Sequence, residues 1–479
     1  MPPTRPVPLP LARRLLFPAL PPAAPYPPLL AASAHPDLAP EIFDLIAQAL
    51  RAYISPWWSK LSRYDREFVP EINRILIHVI HVFESRVCTI DLPRLLLRDL
   101  PLILTQHYRD YRNAASKLSS SYANGGSASL PFLFHQSQPH MAISPDGQLN
   151  EDYYRQIIDH LLHISLPPED YAVDAVRYIT REAILKVLLV DVLPKLTQPW
   201  FIQLAMLNLL GFDVQLGSYI PSKAPPSKPS LSSTASHSFL ITLLSTVQKL
   251  SGVSLTILHA YKQAVNTIKS VNQFPARQPT PSTDQSDAEA SEGNSSDSLP
   301  MPSERTSTAL RPSSHLTSSP PATILPLLVL FSEMLGMAER LAALVMTTIL
   351  FFITILWTSF LDRLLPHLLT TTLDSTFILN LTRLVKRTLF PNGYPGPPYD
   401  DPTPEEQSLI RARLTAARPS GILAYFTPII LGPDPTATLD AAIEPLSNST
   451  CNLHLAVIII DRILAGLFPE LIHSDKVSP

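Results

Sequence analysis

Cysteine is nearly absent: Cys88 and Cys451 are the two in 479 residues. Two thiols cannot build a disulfide framework, so the chain reads as intracellular. Glycine is also scarce, at 13 residues, where roughly 7% of a chain is usual. That shortage does not suit a β-sandwich or a nucleotide-binding α/β sheet. Charged residues reach only 16%, against roughly 25% in an average soluble domain, and the net charge of −3 gives no overall attraction to nucleic acid. There is no G-x-S-x-G elbow, no Gly-rich phosphate loop and no H-E-x-x-H. The i, i+3 pairs His78/His81 and His160/His163 lack the further ligands that zinc needs. Neither cysteine has a His/Asn partner pattern. No catalytic residue, metal or cofactor is therefore expected. The apolar stretch 15–20 is broken by Pro18, which excludes a secretory h-region there.

What the chain does have is proline, 51 residues, and apolar side chains, 46%. Both suit helices joined by proline-rich connectors. Residues 1–40 read as a semi-extended, disordered polyproline-type tail. Two composition breaks follow: a Pro/Ser/Lys-rich linker at 216–238, then a Ser/Asp/Pro-rich linker at 275–320 too polar to offset its ordering entropy. They isolate a helical segment at 239–274. Elsewhere the apolar period is helical. Ile72, Ile75, Leu76, Val79, Ile80 and Phe83 form one stripe. Asp91 before Leu92-Pro93 reads as the N-cap of a helix to about Tyr111. A helix over 150–164 places Tyr154, Ile157, Ile158, Leu161 and Leu162 inward. Another over 170–193 places Val173, Val176, Ile179, Ile184, Val187 and Leu188 inward. No stretch shows a period of two, and the fold class is all-α.

Residues 341–361 (LAALVMTTILFFITILWTSFL) carry no charge over 21 positions, about 30 Å of helix and enough to cross a bilayer. Three readings compete: a transmembrane helix, a helix buried on all sides, or one wall of an apolar ligand cavity. Leu344, Thr348, Phe351, Phe352 and Ile355 repeat at helical spacing, with Val345, Ile349, Phe352 and Leu356 as an adjoining stripe. All eight are candidates for lipid contact. Trp57 and Trp58 beside Lys60 and Arg63 are candidates for a membrane surface, with indoles at headgroup level and cations on phosphate. The competing reading packs those aromatics into the bundle. The segment His107-Tyr108-Arg109-Asp110-Tyr111-Arg112 reads as a solvated helix end.

Several blocks together resemble a known domain. They are ISPWWSKLSRYDREFVPEIN at 54–73, IDLPRLLLRDLPLILTQHYRDYR at 90–112, PHMAIS at 139–144 and the long run DYYRQIIDHLLHISLPPEDYAVDAVRYITREAILKVLLVDVLPKLTQPWFI at 152–202. In order and spacing, about 42–210 is similar to the PXA domain of sorting nexins that also carry RGS and PX domains. Family members usually show His-Pro-Ala-Leu where this chain has His140-Met141-Ala142-Ile143. Towards the end, TLFPNGYPG at 388–396, ILAYFTPIILGP at 422–433 and CNLHLAVIIIDRILAGLFPEL at 451–471 resemble the sorting-nexin C-terminal domain, Nexin-C. No RGS or PX domain fits between 211 and 320.

The layout that follows is a tail (1–40), a PXA-like domain (41–215), a linker (216–238), a helical segment (239–274), a second linker (275–320), a Nexin-C-like domain (321–472) and a tail (473–479). The resemblance implies that the two helical domains pack together around an elongated apolar cavity. It also implies non-catalytic lipid binding or transfer at the cytosolic face of the endoplasmic reticulum or endosomes. The partners expected are a lipid or membrane surface and trafficking proteins, not nucleic acid. The alternative is a membrane-anchored trafficking adaptor that uses the PXA-like part to bind proteins and 341–361 as its anchor.

Overall fold

The computed structural model describes residues 9–21, 24–30, 35–62, 64–65, 67–120, 128–209, 324–395, 401–418 and 423–472. The expected linkers 216–238 and 275–320, the helical segment 239–274 and the tail 473–479 lie outside the described residues. Among those described, structure is helical throughout, and an isolated antiparallel bridge joins Ile143 to Leu149.

The chain opens with α1 (Leu11–Leu16), α2 (Leu38–Ala49), α3 (Ser55–Leu61) and α4 (Phe68–Thr89). The expectation of a disordered tail over 1–40 does not hold for residues 9–21 and 24–30. Leu16 and Leu29 are fully buried and pack with Ala12, Phe43, Ala47 and Leu50. The segment's leucines supply an apolar face that composition alone hides. Arg13, also buried, donates to the Pro21 and Ala24 carbonyls and lies over the Tyr26 ring. Helix α4 is a wall shared by two cores. Ile72, Leu76 and Ile80 face the α1–α2 cluster, whereas Ile75 and Val79 face a second cluster.

Next come α5 (Leu92–Arg94) and α6 (Leu100–Lys117), joined by a π-helical turn, then α7 (Leu130–Ser137) and α8 (Glu151–Ser165). Asp91 caps the first of these by accepting from the Arg94 N–H, as expected. The Asn150 side chain accepts from the Asp152 and Tyr153 N–H groups, and Glu151 and Asp152 favour the positive helix end. Tyr154, Ile158 and Leu162 are buried one turn apart, while Ile157 and Leu161 are half-buried.

The chain then runs through α9 (Pro168–Tyr171), α10 (Asp174–Lys186), a π-helical turn at Val187–Val192, α11 (Leu193–Leu196) and α12 (Pro199–Leu209). Here the expected inward face is wrong. Val173, Val176, Ile179, Ile184 and Val187 are exposed, and the core instead receives Leu185 and Leu193, with Leu188 and Leu189 against it. The other flank is fixed by ion pairs from Arg177 and Arg181 to Asp159 on α8. Both sides of this helix carry apolar residues, so periodicity finds the stripes without saying which one is covered.

The carboxy-terminal half comprises α13 (Leu325–Met334), α14 (Leu341–Leu356), α15 (Thr358–Thr372), α16 (Ser375–Leu389), α17 (Pro404–Ala416), α18 (Leu423–Leu431), α19 (Pro435–Ile443) and α20 (Ser449–Leu467). It docks on the first half along its length. Leu453 and Val457 of α20 enter the core built by α8 and α11. Leu207 of α12 packs with Ile410, Leu414 and Ile443. Arg112 of α6 reaches the Glu333 carboxylate at 2.9 Å, and Arg383 and Lys386 of α16 pair with Glu41 of α2. These pairs are partly exposed, so they orient the halves more than they stabilise them.

Candidate functional site

The 21-residue apolar stretch is not one helix. It breaks at Trp357 into α14 and α15, which meet at an 89° bend. Threonine hydroxyls lie on the backbone beside the break. The Thr354 hydroxyl donates to the Leu350 carbonyl at 2.7 Å, and Thr358 donates to the Thr354 and Ile355 carbonyls. Such back-bonding bends a helix only slightly, and the same bonds from Thr347 and Thr348 leave α14 unbroken. With 16 residues, α14 is about 24 Å long, shorter than the ~30 Å hydrocarbon layer.

The orientation of α14 is unusual. Its inward face is small or hydroxylated, with Ala343, Thr347 and Thr354 buried and Phe351 half-buried. Those hydroxyls are satisfied locally: Thr347 donates to the Ala343 carbonyl at 2.7 Å. On this side α14 meets α13 and α18. Its large apolar side chains point the other way. Leu344, Val345, Ile349, Ile355 and Leu356 are exposed, and Phe352 is 63% exposed. Thr348 is exposed too, its hydroxyl on the Leu344 carbonyl. Seven of the eight candidate lipid contacts therefore share an outward surface, and Phe351 borders it. The reading of a helix buried on all sides is overturned.

An open hollow of about 500 Å³ lies elsewhere, lined by Ser129, Pro131, Phe132, Pro145, Asp146 and Thr450 among others. Its walls are mixed in polarity and include no α14 residue. Helix α20 is long and apolar enough to cross a membrane by length and composition, yet Cys451, Leu453, Leu455 and Val457 sit in the core.

The two tryptophans separate. Trp58 stacks on Phe68 with ring centroids 3.7 Å apart, which packs it onto α4. Trp57 meets both rings edge-on and stays exposed, as does Lys60. Arg63 lies outside the described residues.

Sequence reasoning missed a buried polar seam between the halves. The supposed solvated end at 107–112 is largely core: His107 and Tyr108 are each 1% exposed. The His107 Nε2 lies 3.1 Å from the Pro445 carbonyl, and the Tyr108 hydroxyl donates to the Ala442 carbonyl at 2.9 Å. His454 of α20 stacks edge-on against Phe134 and beside His135. Desolvation pushes the His107 imidazole down to about 4. It does the same to His454, also to about 4, helped by the neighbouring His135, His140 and His107. The Gln138 backbone pulls weakly the other way. Burial pushes the Cys451 thiol up to about 12, so it sits in the core as a neutral side chain. The signal was the pairing of HYRDY with CNLHL, two segments far apart in sequence. Among the described residues, no group of three or more His, Cys, Asp or Glu could hold a metal.

A family model for the PXA domain matches residues 35–209. Residues 35–209 are a PXA domain. The match accounts for α2 to α12. At 140–143, Ala142 and Ile143 are buried, whereas Met141 is 81% exposed, where side-chain identity matters little. His140 is fixed by Asp461 of α20, 3.0 Å away, so this loop also holds the carboxy-terminal half. The chain is 26% identical over 141 residues to PXA domain protein 1 of Schizosaccharomyces pombe, covering 29% of this chain and 28% of that protein. It is 25% identical over 170 residues to human sorting nexin-13, covering 33% of this chain and 17% of that protein. The mouse sorting nexin-13 is matched at the same identity over 18% of its length. The chain thus spans less than a third of these relatives. No solved structure matches it.

Proposed function

We propose that this PXA-containing chain is a non-catalytic lipid-binding or lipid-transfer protein in membrane trafficking. It works on the cytosolic side of intracellular membranes, at the endoplasmic reticulum or endosomes. The observation that carries this reading is the outward apolar face of α14, where Ile349 and Phe352 are more than half exposed. Acyl chains laid on that face gain ~0.8 kcal/mol per CH₂ removed from water. The PXA match at 35–209, the sorting-nexin relatives and the Nexin-C-like blocks at 388–471 support the trafficking context. The partners proposed are lipid, a membrane surface and trafficking proteins. With a net charge of −3, nucleic acid is not among them.

A second reading, a membrane-anchored adaptor, is favoured by one feature. Helices α14 and α15 are apolar enough together to enter a membrane as a bent pair. Transfer of a fluorescent phospholipid between donor and acceptor vesicles separates the two. The lipid-carrying reading expects transfer by the wild-type chain and its loss in Phe352→Asp. The same variant keeps its fold, because Phe352 is exposed, whereas Ile75→Asp in the packed core unfolds. Wild-type chain that stays on one vesicle population and transfers nothing, with Phe352→Asp released from membranes intact, establishes the anchor instead.

A further inference from the structure

We propose that the PXA domain carries a peptide-docking groove between α2 and α4. This chain fills it with its own residues 9–30, and a second protein bearing a segment of the same chemistry enters it when they are displaced. The groove is apolar. Phe43 and Ala47 of α2 and Leu50 just after it form one side, and Ile72, Leu76 and Ile80 of α4 form the other. Both walls are held from behind. Lys386 of α16 pairs with Glu41 and, at 3.0 Å, with Asp44 on α2, while Ile75 and Val79 of α4 pack into the second cluster. Those supports do not involve 9–30. The groove is separate from the α14 face, and its occupant is a polypeptide rather than a lipid.

Residues 9–30 sit on this groove as a bound ligand does. They precede the PXA match, which begins at 35. Their shape comes from contacts of their own: Arg13 donates to the Pro21 and Ala24 carbonyls and lies 5.4 Å from the centre of the Tyr26 ring, which closes the segment into a hook. Among the described residues, no hydrogen bond or ion pair joins 9–30 to the helices beneath. The hold is apolar. Leu16 and Leu29 are fully buried, and Phe17 and Tyr26 close on Phe43 with ring centroids 5.1 and 5.4 Å away. Pro18, Pro21, Pro25, Pro27 and Pro28 stiffen the return limb, so less chain entropy is lost on seating. That chemistry defines the partner. It is a short leucine-bearing helix, an arginine that staples it to a proline-rich limb, and an aromatic and a leucine on that limb.

Peptide exchange on the full chain tests this. The probe is a fluorescent synthetic peptide of residues 9–30, and the receptor is the full chain carrying Leu16→Asp and Leu29→Asp, which unseat its own segment. By fluorescence anisotropy the probe should bind this receptor one to one, and a probe carrying Leu16→Asp should not. Wild-type chain should bind the probe at least ~100-fold more weakly, because the short tether holds 9–30 at an effective concentration of about 1 mM. A second measurement does not depend on the fold of that variant. Wild-type chain with a protease site placed at 31–34 is cut while folded. The cut segment should leave on dilution and be replaced by the probe, with the helical circular-dichroism signal of the remaining chain retained. The proposal is overturned if the cut segment does not exchange with excess probe, or if its release unfolds the rest, since either makes 9–30 plain core. It is equally overturned if the folded double variant does not bind the probe. It also fails if the freed groove rejects the probe and is labelled instead by a photoreactive phospholipid from vesicles, which would make it a lipid site.

Discussion

Asn452 sits where the two halves of the molecule meet, and its removal should cost more than any surface ion pair. It is 1% exposed, and its Nδ2 donates to the Thr197 carbonyl at 3.0 Å and the Leu446 carbonyl at 2.9 Å. The first acceptor closes α11 in the PXA domain, and the second ends the turn before α20. Asn452→Ala deletes both bonds and leaves two buried carbonyls without this donor. Each net hydrogen bond contributes about 1 kcal/mol, and each unsatisfied buried group costs about 1 kcal/mol more, so the expected loss is about 2–4 kcal/mol. Asn452→Asp should be at least as damaging, since a carboxylate cannot donate to either carbonyl. Urea unfolding of the full chain, followed by far-UV circular dichroism, gives the difference through the midpoint and slope. The transition should move down as one step, because the bonds span both halves. A shift under 0.5 kcal/mol, or separate transitions for the two halves, refutes the reasoning.

Two further predictions follow from the same seam. His107 and His454 titrate near 4 in the folded chain and near 6.5 when unfolded. The unfolded state therefore binds more protons between those values, and stability present above pH 6.5 is lost as the pH falls towards 4. Each imidazole contributes up to about 3 kcal/mol by this linkage. The urea midpoint should fall steeply over that window in wild type and less steeply in His454→Phe, and equal slopes would contradict the assignment. Gly147 has φ +77°, and an added Cβ would meet Thr450 Cγ2 at 2.5 Å. Gly147→Ala should thus destabilise by about 1–3 kcal/mol, measured by the same titration. Thr450→Ser, which removes that methyl, should recover part of the loss.

Much of the fold was legible because local chemistry and packing agree. Asp91 and Asn150 cap where their types predict, and Tyr154, Ile158 and Leu162 face the core at helical spacing. Where two apolar stripes share one helix, as in 170–193, the period cannot choose between them. The leucines went inward and the β-branched residues outward. In 341–361 the hydrophobic count pointed to one continuous helix, but the helix breaks at Trp357 and small residues take the inward side. The His107–His454 seam was hidden for a different reason. Each histidine is unremarkable in its own segment, and only tertiary packing removes both from water. The apolar α14 stripe was visible as a list of residues. That it turns outward is decided by the small face of Ala343, Thr347 and Thr354, which the list left out.

Native mass spectrometry of the purified 479-residue chain tests the central claim most directly. The outward α14 face predicts a wild-type population carrying the added mass of one or more lipids. In Phe352→Asp that population should be absent while the melting temperature is unchanged. Wild-type protein free of lipid after incubation with phospholipid vesicles, or equal lipid occupancy in Phe352→Asp, would contradict it.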